Sequence, residues 1–211
     1  MILTVRRRLL RAAAGSLTVL ACGLLAACDS TAHSTPSAAA GTTAAPSPTP
    51  SMKTLPPSQL CTVLTVSIAE RIIPDARLAA RVSPNKGTAP DVCDYTSADG
   101  RSTLSLTPAS RTYAAEVSAA HDLAAHPSSA AMSGVRVDTV RGLGRQAFRE
   151  TAYQTQAKQR LTFVVWNTGT RNWVLTLATV TPTPTAPATA PDTDTVVRAA
   201  RSITARLPTG R

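Results

Sequence analysis

The stretch 161–180 limits the fold more than any other part of the chain. Two runs rich in β-branched and aromatic residues, 161–166 and 173–180, flank the turn-forming Asn167-Thr168-Gly169-Thr170. If Asn167 stands opposite Asn172, side-chain alternation puts Leu161, Phe163, Val165, Val174 and Ala178 on one face. Val164, Trp166, Trp173, Leu175 and Leu177 then share the other. Both faces are apolar. A hairpin of this kind has to sit near the middle of a sheet, with something packed on each side.

The flanking sequence offers the covers and the neighbours. Ser58 reads as the N-cap of a helix through Ile72, whose Leu60, Leu64, Ile68 and Ile72 recur every four residues; Pro74 ends it. A loop follows over 74–90. Residues 92–96 and 102–107 read as a hairpin around Asp99-Gly100. An Ala-rich helix is predicted over 109–125, stopped by Pro127, then strands over 135–140 and 146–153 around Gly142-Leu143-Gly144. After a Pro/Thr/Ala run at 181–191, Asp192 or Asp194 caps a last helix through Arg206, with Val196, Val197, Ala200 and Ile203 in one stripe. That run is long for a connection inside a compact domain and reads as a crossover or the rim of a cleft. The expected class is α+β: an antiparallel sheet with helices packed on its faces. Residues 58–211 are enough for a single core and a poor fit to two.

Everything before residue 58 has a different character. Arg6, Arg7, Arg8 and Arg11 form a basic head, 12–25 is apolar, and Ala26-Ala27 precede Cys28. This is the layout of a secretory signal over 1–27. Its apolar part is too short to span a bilayer, which takes about 20 residues. Residues 28–57 are dominated by Ser, Thr, Ala and Pro, a composition that buries no core and predicts a disordered tether. The end of the signal, Leu25-Ala26-Ala27-Cys28, resembles the lipobox of bacterial lipoproteins. The resemblance implies that the Cys28 thiol carries a diacylglyceryl group and that the signal is cut before it. The mature chain would then sit on the outer face of the cell membrane. Two acyl chains hold stably where one is marginal, each buried methylene contributing about 0.8 kcal/mol. The alternative is an ordinary cleaved signal, with Cys28 incidental.

An exported chain with two further cysteines, Cys61 and Cys93, is expected to join them in a disulfide. Two thiols without a neighbouring His are too few for a metal site. The domain carries a net charge of +6. Outside the cytoplasm that excess faces lipid headgroups and wall polymers rather than nucleic acid, or is simply solvated surface charge.

The chemistry-bearing residues are sparse. His121 and His126 are five apart, which misses the shared helix face of a metal pair. Glu70, Glu116 and Glu150 fall on different elements, and neither a nucleophile elbow nor a nucleotide-binding glycine loop is present. No cofactor is implied. Two groups are candidates for binding. Arg136, Arg141, Arg145 and Arg149 surround the glycine turn and suit an anionic headgroup or phosphate, unless they are a solvated rim. Trp166 and Trp173 flank the hairpin turn and suit an apolar or sugar ligand, unless they are a cross-strand core pair.

Cys61 within Ser58-Gln59-Leu60-Cys61-Thr62-Val63-Leu64, then Cys93-Asp94-Tyr95, then Gly142-Leu143-Gly144-Arg145-Gln146-Ala147-Phe148 form a familiar series. With the lipobox and tether, it resembles a family of actinobacterial surface lipoproteins whose domain has no assigned function. The family usually has an acidic residue where this chain has Arg145. The resemblance implies an envelope location and names no reaction. The leading expectation is a non-catalytic module binding a small molecule, lipid or wall component. The alternatives are an envelope assembly protein and, behind both, a wall or lipid hydrolase.

The anchor is directly measurable. The intact mass of the membrane-fraction protein should correspond to a start at Cys28 plus a diacylglyceryl adduct. A soluble product without lipid would refute it.

Overall fold

The structure, a computed structural model, describes residues 54–82, 88–183 and 193–208. The signal, Cys28, most of the tether, 184–192 of the Pro/Thr run and the candidate cap Asp192 lie outside the described residues.

The elements follow in the order β1 (Thr54–Leu55), a 3-10 turn (Gln59–Thr62), α1 (Val66–Ala69), β2 (Arg77–Leu78), β3 (Arg81–Val82), β4 (Cys93–Thr96) and β5 (Ser102–Pro108). Then come α2 (Tyr113–Ala125), a 3-10 turn (Pro127–Ala130), β6 (Met132–Thr139), β7 (Gln146–Gln154), β8 (Gln159–Asn167), β9 (Asn172–Val180) and α3 (Thr193–Thr204). Seven strands form one antiparallel sheet in the order β2-β4-β5-β9-β8-β7-β6. β1 and β3 pair separately. The α+β class expected from the pattern is the class observed.

The hairpin at 161–180 sits where its two apolar faces require. β8 and β9 are interior strands, Asn167 pairs with Asn172, and Trp166 faces Trp173. On one face Val164, Trp166, Trp173, Leu175 and Leu177 meet Leu60, Leu64, Ile68 and Ile73 from the N-terminal segment, and Val196, Ala200 and Ile203 from α3. On the other, Phe148, Val165 and Val174 pack with Tyr113, Val117 and Ala120 of α2. Beside them Leu161, Phe163 and Ala178 pack with Leu123 and Met132. Burying a side chain such as Leu or Val contributes roughly 1.5–3 kcal/mol, so both covers are part of what stabilises the sheet. A meander, β6 to β9, forms one half of the sheet, and the β4–β5 hairpin joins it where β5 pairs with β9.

The predicted helix over 58–72 is not continuous. Ser58 caps as expected, its hydroxyl accepting from the Leu60 amide at 3.0 Å and donating to Asp91. The helix then breaks at 63–65, and α1 restarts after Thr65 in an extended conformation. Thr62, Val63, Thr65 and Val66 are β-branched and disfavour a helix through this stretch. The apolar stripe nevertheless holds: Leu60, Leu64, Ile68 and Ile72 are all buried. α2 starts later than predicted because Ala109 still belongs to the sheet edge, donating to the Asn172 carbonyl at 2.8 Å. Thr112 then caps the helix through the Ala115 amide. The loop expected over 74–90 contains the short strands β2 and β3, too brief to leave a periodic pattern.

Cys61 and Cys93 are bonded, with their Cα atoms 5.1 Å apart. The bridge fastens the N-terminal 3-10 turn to β4, and Cys93 is fully buried. Asp94, its neighbour on the opposite face, is held by the Ser105 hydroxyl. Burial pushes its carboxyl pKa up, against the lowering effects of that hydrogen bond and of Arg81.

Reduction of the bridge should lower stability by roughly 3–4 kcal/mol, as expected for a closed loop of this length in the chain-entropy model. Urea unfolding with and without reductant measures it, and coincident midpoints would contradict the stapling role.

Candidate binding cleft

The arginines around the glycine turn have separate tasks. Arg149, on β7, lies between Asp138 of β6 and Asp194 at the start of α3, at 3.0 Å from each, and also donates to Thr193. Its charge is spent on holding the α3 N-terminus against the sheet, so it is not the open anion contact expected from the sequence. The Arg141 carbonyl accepts from the Arg201 guanidinium at 2.7 Å, a second tie between this turn and α3. Arg136 is exposed on the edge strand β6. Arg145 reaches the β8–β9 turn, where a Cβ placed on Gly169 would lie 3.1 Å from its guanidinium.

The turn has the geometry that glycines permit. Gly142 and Gly144 both have positive φ, at 69° and 58°. Between them Leu143 is buried in the core. The next amide, Arg145, donates to the Asn167 carbonyl at 2.7 Å. Gly144 is held so close to β8 that a Cβ there would approach that same oxygen to 2.3 Å.

Trp166 and Trp173 are 0% and 1% exposed. The covers on their face of the hairpin enclose both rings, so the pair packs the core and does not line an opening. His121 and His126 are exposed, on α2 and just past its end. Among the described residues no group of three His, Cys, Asp or Glu side chains is placed to hold a metal ion.

The cleft lies elsewhere. It has a volume of about 490 Å³ and forms where the β5–α2 connection (108–112) passes the end of the β8–β9 hairpin (170–172). Arg111 and Arg171 line it together with Ser110, Thr112, Thr170 and Asn172, and among the described residues no carboxylate does. Asn172 fixes the two segments to each other. Its side-chain amide donates to the Arg111 carbonyl at 2.8 Å, while its side-chain oxygen accepts from Asn167 at 2.6 Å. Asn167 in turn accepts from the Gly169 amide at 2.8 Å. Thr112 is both a lining residue and the cap of α2, so the start of a 13-residue helix borders the cleft. Two guanidinium groups, hydroxyls and a helix start make a surface suited to a small anion.

The sequence reading missed Arg111 and Arg171. The Asn167–Asn172 register already put Arg171 in the turn. Arg111 joins it only because β5 pairs with β9, which no local pattern announces. No family model matches the chain, and neither a curated protein nor a solved structure does.

The contact at Gly144 yields a graded test. Gly144→Ala should destabilise by roughly 1–3 kcal/mol, and by more than Gly142→Ala, where a Cβ would meet open space. Equal shifts in thermal midpoint would refute the close approach to Asn167.

Proposed function

We propose that this chain is an exported lipoprotein, anchored through Cys28 to the outer face of a bacterial membrane, whose domain binds a small anionic ligand without transforming it. The anchor and location rest on the basic head, the apolar stretch and Leu25-Ala26-Ala27-Cys28. The likeness to actinobacterial surface lipoproteins supports the same location. One observation carries the ligand class: Arg111 and Arg171 face a common cleft that has no carboxylate in its lining. A ligand carrying phosphate or carboxylate groups would be held by charge-assisted hydrogen bonds from both guanidinium groups, with the start of α2 adding its partial positive charge. Ser110, Thr112 and Thr170 bring hydroxyls that donate to or accept from the remainder of such a ligand. The composition of this lining supports a binding role, since arginine and hydroxyl groups hold anions readily through charge-assisted hydrogen bonds.

Titration of the chain with a panel of small anions (inorganic phosphate, glycerol phosphate, citrate), read by thermal shift and calorimetry, tests this. At least one should bind saturably. Arg111→Gln and Arg171→Gln should each weaken that binding roughly tenfold or more, with binding lost in the double variant. Saturable binding that survives the double variant, or no binding by any member of the panel, would reject the cleft as the site.

A further inference from the structure

The sheet has one long free edge. β6 is its outermost strand, and among the described residues nothing pairs with its outer side. The Val140 amide donates to the Ala147 carbonyl at 2.9 Å, continuing the register in which Thr139 faces Phe148. Alternation along an antiparallel ladder therefore turns the amides of Arg136, Asp138 and Val140 toward β7. Those of Val137 and Thr139 point outward, with no partner among the described residues. A shift in register between Ser133 and Arg136, with Gly134 at positive φ, separates this run from the start of the strand.

Exposed edges are commonly blunted by charges. Here the charges are arranged so that the run complements itself. Arg136 and Asp138 lie on one face, on either side of Val137. If a second copy pairs antiparallel about Val137, each Arg136 stands opposite the other copy's Asp138. Val137 faces its own counterpart. The register that pairs opposite charges is also the one in which the outward Val137 amide of each copy meets the Val137 carbonyl of the other. Asp138 is suited to this double use: one oxygen accepts from Arg149 and the side chain is still 52% exposed.

We infer that β6 is the seam of a two-fold homodimer, in which two copies of this chain join their sheets edge to edge about Val137. A two-fold axis uses one surface twice, and the self-complementary run is what such an axis requires. Addition of a strand at a free sheet edge draws its affinity from main-chain hydrogen bonds and its register from the side chains. The inference is independent of the anion cleft, whose lining residues lie on other elements.

Variants of the full chain with one added cysteine, treated in membranes with a short bifunctional thiol crosslinker and run on denaturing gels, test the register. Val137→Cys should give a covalent dimer, because a hydrogen-bonded antiparallel pair sets Cα atoms about 5.5 Å apart, within reach of a short linker between the two thiols. Val135→Cys alone should not, since its counterpart would be about 14 Å away along the strand. Arg136→Glu in the Val137→Cys background should reduce the dimer roughly tenfold. Co-expression with Val137→Cys carrying Asp138→Arg should restore it as a mixed dimer. Co-isolation of two differently tagged copies without added cysteines should follow the same pattern of loss and rescue. Absence of the Val137→Cys dimer, equal crosslinking at 135 and 137, or indifference to Arg136→Glu would each overturn the inference.

Discussion

The structure depends on the two-sided burial of the β8–β9 hairpin. A strand pair with Trp166 and Trp173 on one face and Phe163, Val165 and Val174 on the other is unstable unless both faces are covered. That requirement explains why α2 lies on one side of the sheet while the N-terminal segment and α3 lie on the other. It also places the β4–β5 hairpin, since β9 needs a partner opposite β8 and β5 supplies it. The cleft is a by-product of this arrangement. It opens where the chain leaves β5 and must pass the end of the central hairpin to begin α2.

Charge then refines what apolar burial has arranged. Arg149 projects from β7 toward the start of α3, and its two carboxylate partners sit on separate elements. Its side chain is partly shielded, at 23% exposure, so the pairs lose less to solvent screening than pairs on an open surface. Arg111 and Arg171 have no such partners in the cleft lining. The contrast divides the basic residues of this domain into those used within the fold and those that present their charge outward.

Legibility in the sequence follows the range of the interaction that decides each feature. The faces of 161–180, the Asn167–Asn172 register, the α3 stripe and the Cys61–Cys93 pairing rest on alternation, periodicity or compartment, and each is found where it was expected. The pattern over 58–72 suggests a longer helix than forms because the spacing of Leu60, Leu64, Ile68 and Ile72 reports a buried stripe, which a 3-10 turn followed by a single α-turn satisfies as well. The tryptophans fell between two readings, since a cross-strand aromatic pair looks alike in sequence whether a cover lies over it or not. Arg149 looked like part of a binding cluster because Asp194 is 45 residues away. Arg111 was invisible as a site residue for the same reason: β5 and β9 are distant in sequence, and their pairing is a property of the whole sheet.

The position of the disulfide has a mechanical consequence. Cys61 lies close to the first of the described residues, and its bond leads directly into β4, an interior strand of the large sheet. Tension entering at Thr54 passes through only a few residues before it meets a covalent link. From Cys61 it crosses to Cys93 and spreads over the hydrogen bonds that β4 makes with β2 and β5. The chain between the two cysteines, with α1 and the short strands β2 and β3, is bypassed as a load path. A pull on the N-terminal side is thereby shared by the large sheet and does not fall on the segment between the two cysteines alone.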